Sequence, residues 1–154
     1  MKKIDDTDAK LLSLLQFDGR MTIKELAAKL EMSTTPIFER IKKLEKAGII
    51  DHYAAVLNPD KLGKKLYAFA HISLKDHSKE LVDEFTEQIV QIPQVLECHY
   101  VTGDSDFILK ILLNDMEKYR EFVMNSLFQM SNIAKVETFL SLSVSKQTNV
   151  IELS

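Results

Sequence analysis

Two hydrophobic periods divide this sequence and predict an α+β fold, a helix-turn-helix followed by a ferredoxin-like βαββαβ domain. Over residues 1–50 the apolar side chains recur at helical spacing, with capping residues before them and glycines after. From residue 65 onward, runs of strand-forming residues frame two further amphipathic helices in the order β-α-β-β-α-β. The domains expected are residues 1–50, a connecting strand and linker over 51–64, and a second domain over 65–154.

The first helix is capped by Asp5 or Asp6 and runs through "AKLLSLLQ", with Asp8 in its first turn complementing the helix dipole. "FDGR" ends it at Gly19. "TIKELAAKL" opens with Thr22 and carries Glu25 three residues on, the reciprocal arrangement of a capping box. Its Ile23, Leu26, Ala27 and Leu30 fall on one face. After the break "EMS", a third helix runs "TTPIFERIKKLEKA", with Ser33 as its cap and Gly48 as its stop. Pro36 lies in the first turn, where a missing N–H matters little. Ile37, Ile41 and Leu44 form the inner face.

Opposite that face lie Thr35, Glu39, Lys42, Lys43 and Lys46, with Thr34 and Phe38 at the flanks. Hydroxyls at a helix N-terminus can meet base edges and phosphates, and lysines further along can neutralise the backbone. These seven residues are therefore the expected contacts to double-stranded DNA, from a helix laid in the major groove. Taken alone, "RIKKLEK" fits better a solvated helix face with internal charge pairs, since charged outer faces are the norm. The compact three-helix context favours DNA.

The pattern changes at Ile49. "IIDHYAAVLNPDKLG" reads as a connecting strand and linker, with Asn58-Pro59 as a turn signal. "KLYAFAHISLK" alternates, with Leu66, Ala68, Ala70, Ile72 and Leu74 on one face and Tyr67, Phe69, His71 and Ser73 on the other. "ELVDEFTEQIVQI" is helical, with Val82, Phe85, Ile89 and Ile92 inward. The strands "VLECHYVT" and "DFILKILL" follow, read as two central strands joined by a turn at Gly103-Asp104. "MEKYREFVMNSLFQM" is a second helix, with Tyr119, Phe122, Val123, Leu127 and Met130 inward, and "AKVETFLSLSVSK" is a long last strand. Helices cover one face of such a sheet, so the face with Tyr67 and Phe69 needs a partner, which implies self-association.

Composition narrows the class. Of 154 residues, 45% are hydrophobic and 28% charged, a globular balance, and no apolar run reaches the ~18–20 residues of a spanning helix. No apolar segment follows the N-terminal lysines as a secretory signal requires, and the lone Cys98 fits a reducing cytoplasm. Net charge is −3, with ten basic and ten acidic residues over 1–60 and ten against thirteen over 61–154. Duplex binding depends on a local basic surface, so this balance does not exclude it. Enzymatic readings fare poorly. His52, His71, His77 and His99 are scattered, no metal-ligand spacing appears, and Gly103 lacks the neighbouring glycines of a phosphate loop. Asp104 and Asp106 have no partner base for catalysis, and Cys98 sits among apolar neighbours. No catalytic residue, metal or cofactor is expected.

The residues carry a resemblance. "DGRMTIKELAAKLEMSTTPIFERIKKLEKAGIIDHYAAVLNP" resembles the leucine-responsive/asparagine-responsive (Lrp/AsnC) regulators, most specifically in Ser33 to Ile50, and "ECHYVTGDSDFILKI" matches their strand-turn-strand segment. The resemblance implies a transcription regulator with an N-terminal winged helix-turn-helix and a C-terminal ferredoxin-like effector-sensing domain. It implies homodimers that assemble further, commonly into octamers, and an amino-acid effector held where neighbouring dimers meet. Carried over residue by residue, the effector contacts are Tyr100, Thr102, Gly103, Asp104 and Asp106, with Thr138 from another subunit. On that basis Asp106 accepts the ligand's ammonium, and N–H groups around Gly103 meet its carboxylate. Ser105 departs from the family pattern, where the position is often larger or aromatic, which implies a different side-chain preference. Two alternatives stand beside this reading: an architectural DNA-binding oligomer without an effector, and a small-molecule-binding protein whose helices serve protein interaction.

Overall fold

The computed structural model describes residues 4–153. It forms two compact units, one built from the residues up to Val56 and those from Lys146 onward, the other spanning Leu57–Ser145.

In the first unit, α1 (Asp6–Phe17), α2 (Ile23–Lys29) and α3 (Thr34–Lys46) surround a core of Leu11, Leu12, Leu26, Ala27, Ile37, Ile41 and Leu44. The caps are local chemistry. Asp5 accepts the Asp8 N–H at 2.7 Å, and Thr22 and Glu25 exchange the two bonds of a capping box. Ser33 is the N-cap of α3 by backbone position, but its hydroxyl makes no capping bond. Between α2 and α3 the chain reverses at Glu31, whose φ of +55° is a left-handed conformation that few non-glycine residues adopt.

One contact in this unit joins residues far apart in the sequence. Nη1 of Arg40, on α3, donates to Asp5 Oδ2 at 2.7 Å and to Asp8 Oδ1 at 2.6 Å, tying α3 to the start of α1. Asp8 is buried, at 3% exposure, so its carboxylate does more than complement a dipole. A carboxylate taken out of water is tolerable only when so paired. The residues after Lys146 also belong here. The Gln16 side-chain amide donates to the Ile151 carbonyl at 3.0 Å and accepts its N–H at 2.6 Å, and Leu153 packs on the core. The connecting strand expected over 51–64 is not formed: residues 51–58 carry no strand pairing among the described residues, and Asp60–Leu62 make one 3-10 turn.

The second unit is a four-stranded antiparallel sheet under two helices: β1 (Leu66–Leu74), α4 (Lys79–Ile89), β2 (Val95–Tyr100), β3 (Phe107–Leu113), α5 (Met116–Asn125) and β4 (Ile133–Leu140). Strand order is β2-β3-β1-β4, so β2 is an edge strand, and the hairpin joins an edge to a centre instead of two central strands. Alternation governs burial. Ala68, Ala70, Ile72 and Leu74 of β1 and Phe107, Leu109, Ile111 and Leu113 of β3 face the helices and are buried with Phe85, Ile89, Phe122 and Leu127. Each such large side chain contributes about 1.5–3 kcal/mol.

Three element ends differ from expectation. Helix α4 stops at Ile89, with Ile92 packing beyond it; α5 stops at Asn125 and a 3-10 turn, Leu127–Gln129, carries Leu127 into the core. The last strand ends at Leu140 and does not run on to Lys146, since pairing with β1 stops at Ala68↔Leu140.

Neither α4 nor α5 covers the other sheet face. Register places Tyr67, Phe69, His71 and Ser73 of β1 there, beside Ile108, Lys110 and Leu112 of β3 and Lys135, Glu137 and Phe139 of β4. This face is zoned. Phe69 pairs with Phe139 near one end, whereas His71 with Glu137 and Ser73 with Lys135 make the other end polar.

Candidate functional site

On α3 all seven residues of the expected DNA surface are exposed: Thr34, Thr35, Phe38, Glu39, Lys42, Lys43 and Lys46. The first turn contains no acidic residue, so the N–H groups at the helix start present an uncompensated positive end. Further along, Lys42 Nζ lies 5.6 Å from the centre of the Phe38 ring, a cation–π contact that holds the ammonium against the helix. Arg40 is excluded from this surface because α1 uses it. Glu39 is the one acid among the seven, and a carboxylate there can accept a hydrogen bond from a cytosine amino group.

The second candidate surface is the β2–β3 turn. The Val101 N–H donates to the Asp106 carbonyl at 2.8 Å, closing a loop whose Gly103 has a φ of +132°, a conformation that side chains resist. Asp106 anchors the loop. Its N–H donates to the Ile72 carbonyl at 2.8 Å, and its carboxylate accepts the Leu74 N–H at 2.7 Å and lies 3.0 Å from His77 Nε2. The side chain expected to hold a ligand's ammonium is thus engaged within the chain.

The remaining expected contacts are spread out. Thr102, Gly103 and Asp104 are exposed on the turn. Tyr100 lies toward the helix-covered side, its ring 4.8 Å from that of Phe107. Thr138 faces the helices too and accepts a hydrogen bond from the Tyr119 hydroxyl, so within one chain it does not join the turn.

Beside the turn, on the open sheet face, is a cleft of about 280 Å³ lined by His71, Ser73, Asp104, Ser105, Lys135 and Glu137. Of the residues expected to bind an effector, only Asp104 lines it. Lys135 Nζ and Glu137 Oε2 are 2.9 Å apart, and that lysine holds the Glu137 carboxyl below its usual range. Ser105 Oγ is 3.5 Å from His71 Nδ1, and the His71 ring meets Phe139 edge-on at 5.0 Å. Alternation along β1 places His71 and Ser73 on the open face, but only the β1–β4 register brings Lys135 and Glu137 beside them. Cys98 is half-buried beside the core, and burial pushes its thiol up, away from the reactive thiolate.

A three-helix unit with a free lysine-bearing face and a βαββαβ unit are what known proteins combine in the same order. Residues 4–51 match the winged helix-turn-helix DNA-binding family, and residues 67–151 match the Lrp/AsnC ligand binding domain. The chain belongs to the Lrp/AsnC family. Similar Lrp/AsnC proteins include the leucine-responsive regulatory protein of Haemophilus influenzae, 35% identical over 99% of this chain and 92% of that one. The fold agrees as closely. A transcriptional regulator of Neisseria meningitidis, solved in complex with L-Met, superposes with a TM-score of 0.93 at 32% identity, over 97% of both chains. An AsnC family regulator from Agrobacterium tumefaciens gives 0.92 at 31% identity, over 96% of both. An Lrp/AsnC chain is a DNA-binding transcription regulator with a ligand-binding domain, and not an enzyme. No helix of the described residues is long and apolar enough to cross a membrane.

Proposed function

We propose that this Lrp/AsnC regulator lays α3 in the major groove of duplex DNA, and that a small amino-acid-like effector at the β2–β3 turn modulates its DNA affinity or assembly. The carrying observation is the outer face of α3, exposed throughout, with an acid-free first turn and three lysines. Thr34 and Thr35 meet phosphates or base edges at the helix start, Glu39 reads a base, and Lys42, Lys43 and Lys46 neutralise the backbone. Phe38 steadies Lys42 and presents an apolar edge to the groove.

The effector binds where subunits adjoin, against Thr102, Gly103 and Asp104. Asp106 shapes the turn and reaches a ligand ammonium only by giving up His77. Tyr100 and Thr138 contribute only at a contact shared with a neighbouring subunit. Two copies pair through the apolar end of the open sheet face around Phe69 and Phe139, and dimers assemble further into an octamer in the cytoplasm.

Gel-shift titration at several salt concentrations tests the DNA arm. Binding in the nanomolar-to-micromolar range that weakens steeply with salt is expected; a folded, oligomeric sample that shifts no DNA at low salt refutes it. For the effector arm, L-Met is the first probe, because the Neisseria relative holds it. A ligand at 100 times its Kd stabilises by ~2.7 kcal/mol, readable as a thermal shift. If none of the twenty amino acids moves the melting curve, the effector arm fails. For the dimer, Phe69→Glu is expected to sediment as a monomer where the parent chain does not.

A further inference from the structure

The open-face cleft has a lining that leads beyond the location of an effector to its chemistry. All six lining side chains are polar or charged, and none is a pure hydrocarbon. At about 280 Å³ it falls just below the ~300–1,000 Å³ typical of sites for drug-sized ligands, and so suits something of single-amino-acid size. Charges of both signs stand around it. Lys135 and Glu137, two residues apart on β4, project on the same face, and Asp104 comes in from the turn. His71, Ser73 and Ser105 add groups that can donate or accept hydrogen bonds.

We propose that this cleft reads the effector's charge: it takes a small polar, amine-bearing zwitterion, with the ammonium on Asp104 and Glu137 and the carboxylate on Lys135. The assignment rests on the reading that an effector binds at the β2–β3 turn, and it names the class. Asp104 and Glu137 stand against the single ammonium of Lys135, so the carboxylates outnumber the lysine in the cleft. An acidic amino acid brings a second carboxylate into that field and is disfavoured; a basic or neutral polar one is accepted. A leucine or methionine side chain gains less here than in a hydrocarbon-lined pocket, because no aliphatic side chain is among the lining residues. Selectivity is set on the strands, by Glu137, Lys135, His71 and Ser73, while the turn supplies position.

The ion pair of Lys135 with Glu137 does not block the site. Both side chains are more than half exposed, and an exposed pair of this kind is worth little, so a ligand carrying both charges can replace it with two pairs. The cleft also lies at the polar end of the open face, beyond Phe69, so a second copy seated on the apolar end leaves it at the margin of the contact.

Isothermal titration of the full chain with lysine, glutamine, methionine and glutamate tests this, in the parent and in Glu137→Gln, Lys135→Met and Gly103→Val. Sedimentation and melting temperature serve as fold controls, since residues 135 and 137 are exposed on β4. The expected result is binding of lysine or glutamine ahead of methionine, none of glutamate, and roughly tenfold weakening in Glu137→Gln and in Lys135→Met. If methionine binds best, unaffected by Glu137→Gln and Lys135→Met but lost in Gly103→Val, the effector still sits at the turn and the cleft assignment is overturned. If none of the four binds, the cleft assignment is overturned as well, and whether any of the other amino acids shifts the melting curve then decides the turn reading separately.

Discussion

The outer face of α3 and the cleft on the open sheet face are both rich in charge, yet they arrange it oppositely. Along α3, Lys42, Lys43 and Lys46 repeat one sign, and none of them is ion-paired among the described residues. Around the cleft, Lys135 is accompanied by Glu137 and Asp104, so both signs share one small volume. A surface on which one sign predominates, three lysines against Glu39, suits a polyanion, where each lysine gains by releasing a condensed counterion. Alternating signs suit a ligand that is itself a zwitterion, and give little to a polymer. The contrast teaches that net charge, −3 for this chain, predicts neither interaction. Spacing and sign order do.

The comparison can be broken most forcefully by unfolding one unit and sparing the other. Arg40→Ala leaves the buried Asp8 carboxylate without its cation and is expected to destabilise the helical unit by about 3 kcal/mol. Hydrogen exchange followed by mass spectrometry should show faster exchange in α1 and α3 with β1 and β3 unchanged. Uniform loss of protection would show that the units do not unfold separately. The same clamp has a pH signature. The Asp8 N–H, and then Arg40, hold the Asp5 carboxyl below its usual range. A depressed acid contributes stability above its unfolded value, about pH 4, which is lost as pH falls through the lower folded value. Denaturant melts between pH 5 and pH 2 should show this loss, and Arg40→Ala should diminish it.

Next in size is the DNA surface itself. Lys42→Ala/Lys43→Ala removes the two lysines proposed to meet phosphates and is expected to flatten the slope of log affinity against log salt by about 1.8. The zwitterion titrations should not change. A slope identical to the parent's would return "RIKKLEK" to the status of a solvated face. Asp106→Ala follows, costing about 1–3 kcal/mol in the sheet unit because the Leu74 N–H loses its acceptor. Asp106→Asn, which keeps an acceptor, should recover most of it in the same thermal melts. The smallest effect is favourable: Glu31→Gly relieves a positive φ in the turn before α3 and should raise stability by up to about 1 kcal/mol.

What was legible in the sequence was chemistry between near neighbours. The capping box of Thr22 and Glu25, the Ile37/Ile41/Leu44 face and the alternation of β1 each depend on residues a few positions apart. The exposed face of α3 follows from the same periodicity. Contacts between distant residues were not legible. Arg40 meets Asp8 across 32 positions, and nothing local distinguishes that arginine from the lysines that follow it. The contact of Thr138 with Tyr119 of α5 follows from the strand register, and the same register places Lys135 and Glu137 in the cleft. Asp106 illustrates a further limit. Its position at the turn was readable, whereas its use by Leu74 and His77 depends on how β1 ends.

The return of the tail to the helical unit has a consequence for synthesis. Gln16 leaves the ribosome early, but its hydrogen-bonding partner Ile151 follows only after the whole sheet. At ~5–20 residues per second the interval is on the order of ten seconds. During that time any packing of α1–α3 rests on their own core of Leu11, Leu26, Ile37 and Leu44. Residues 146–153 therefore act as a late fastening on the helical unit, added only after the sheet has been made.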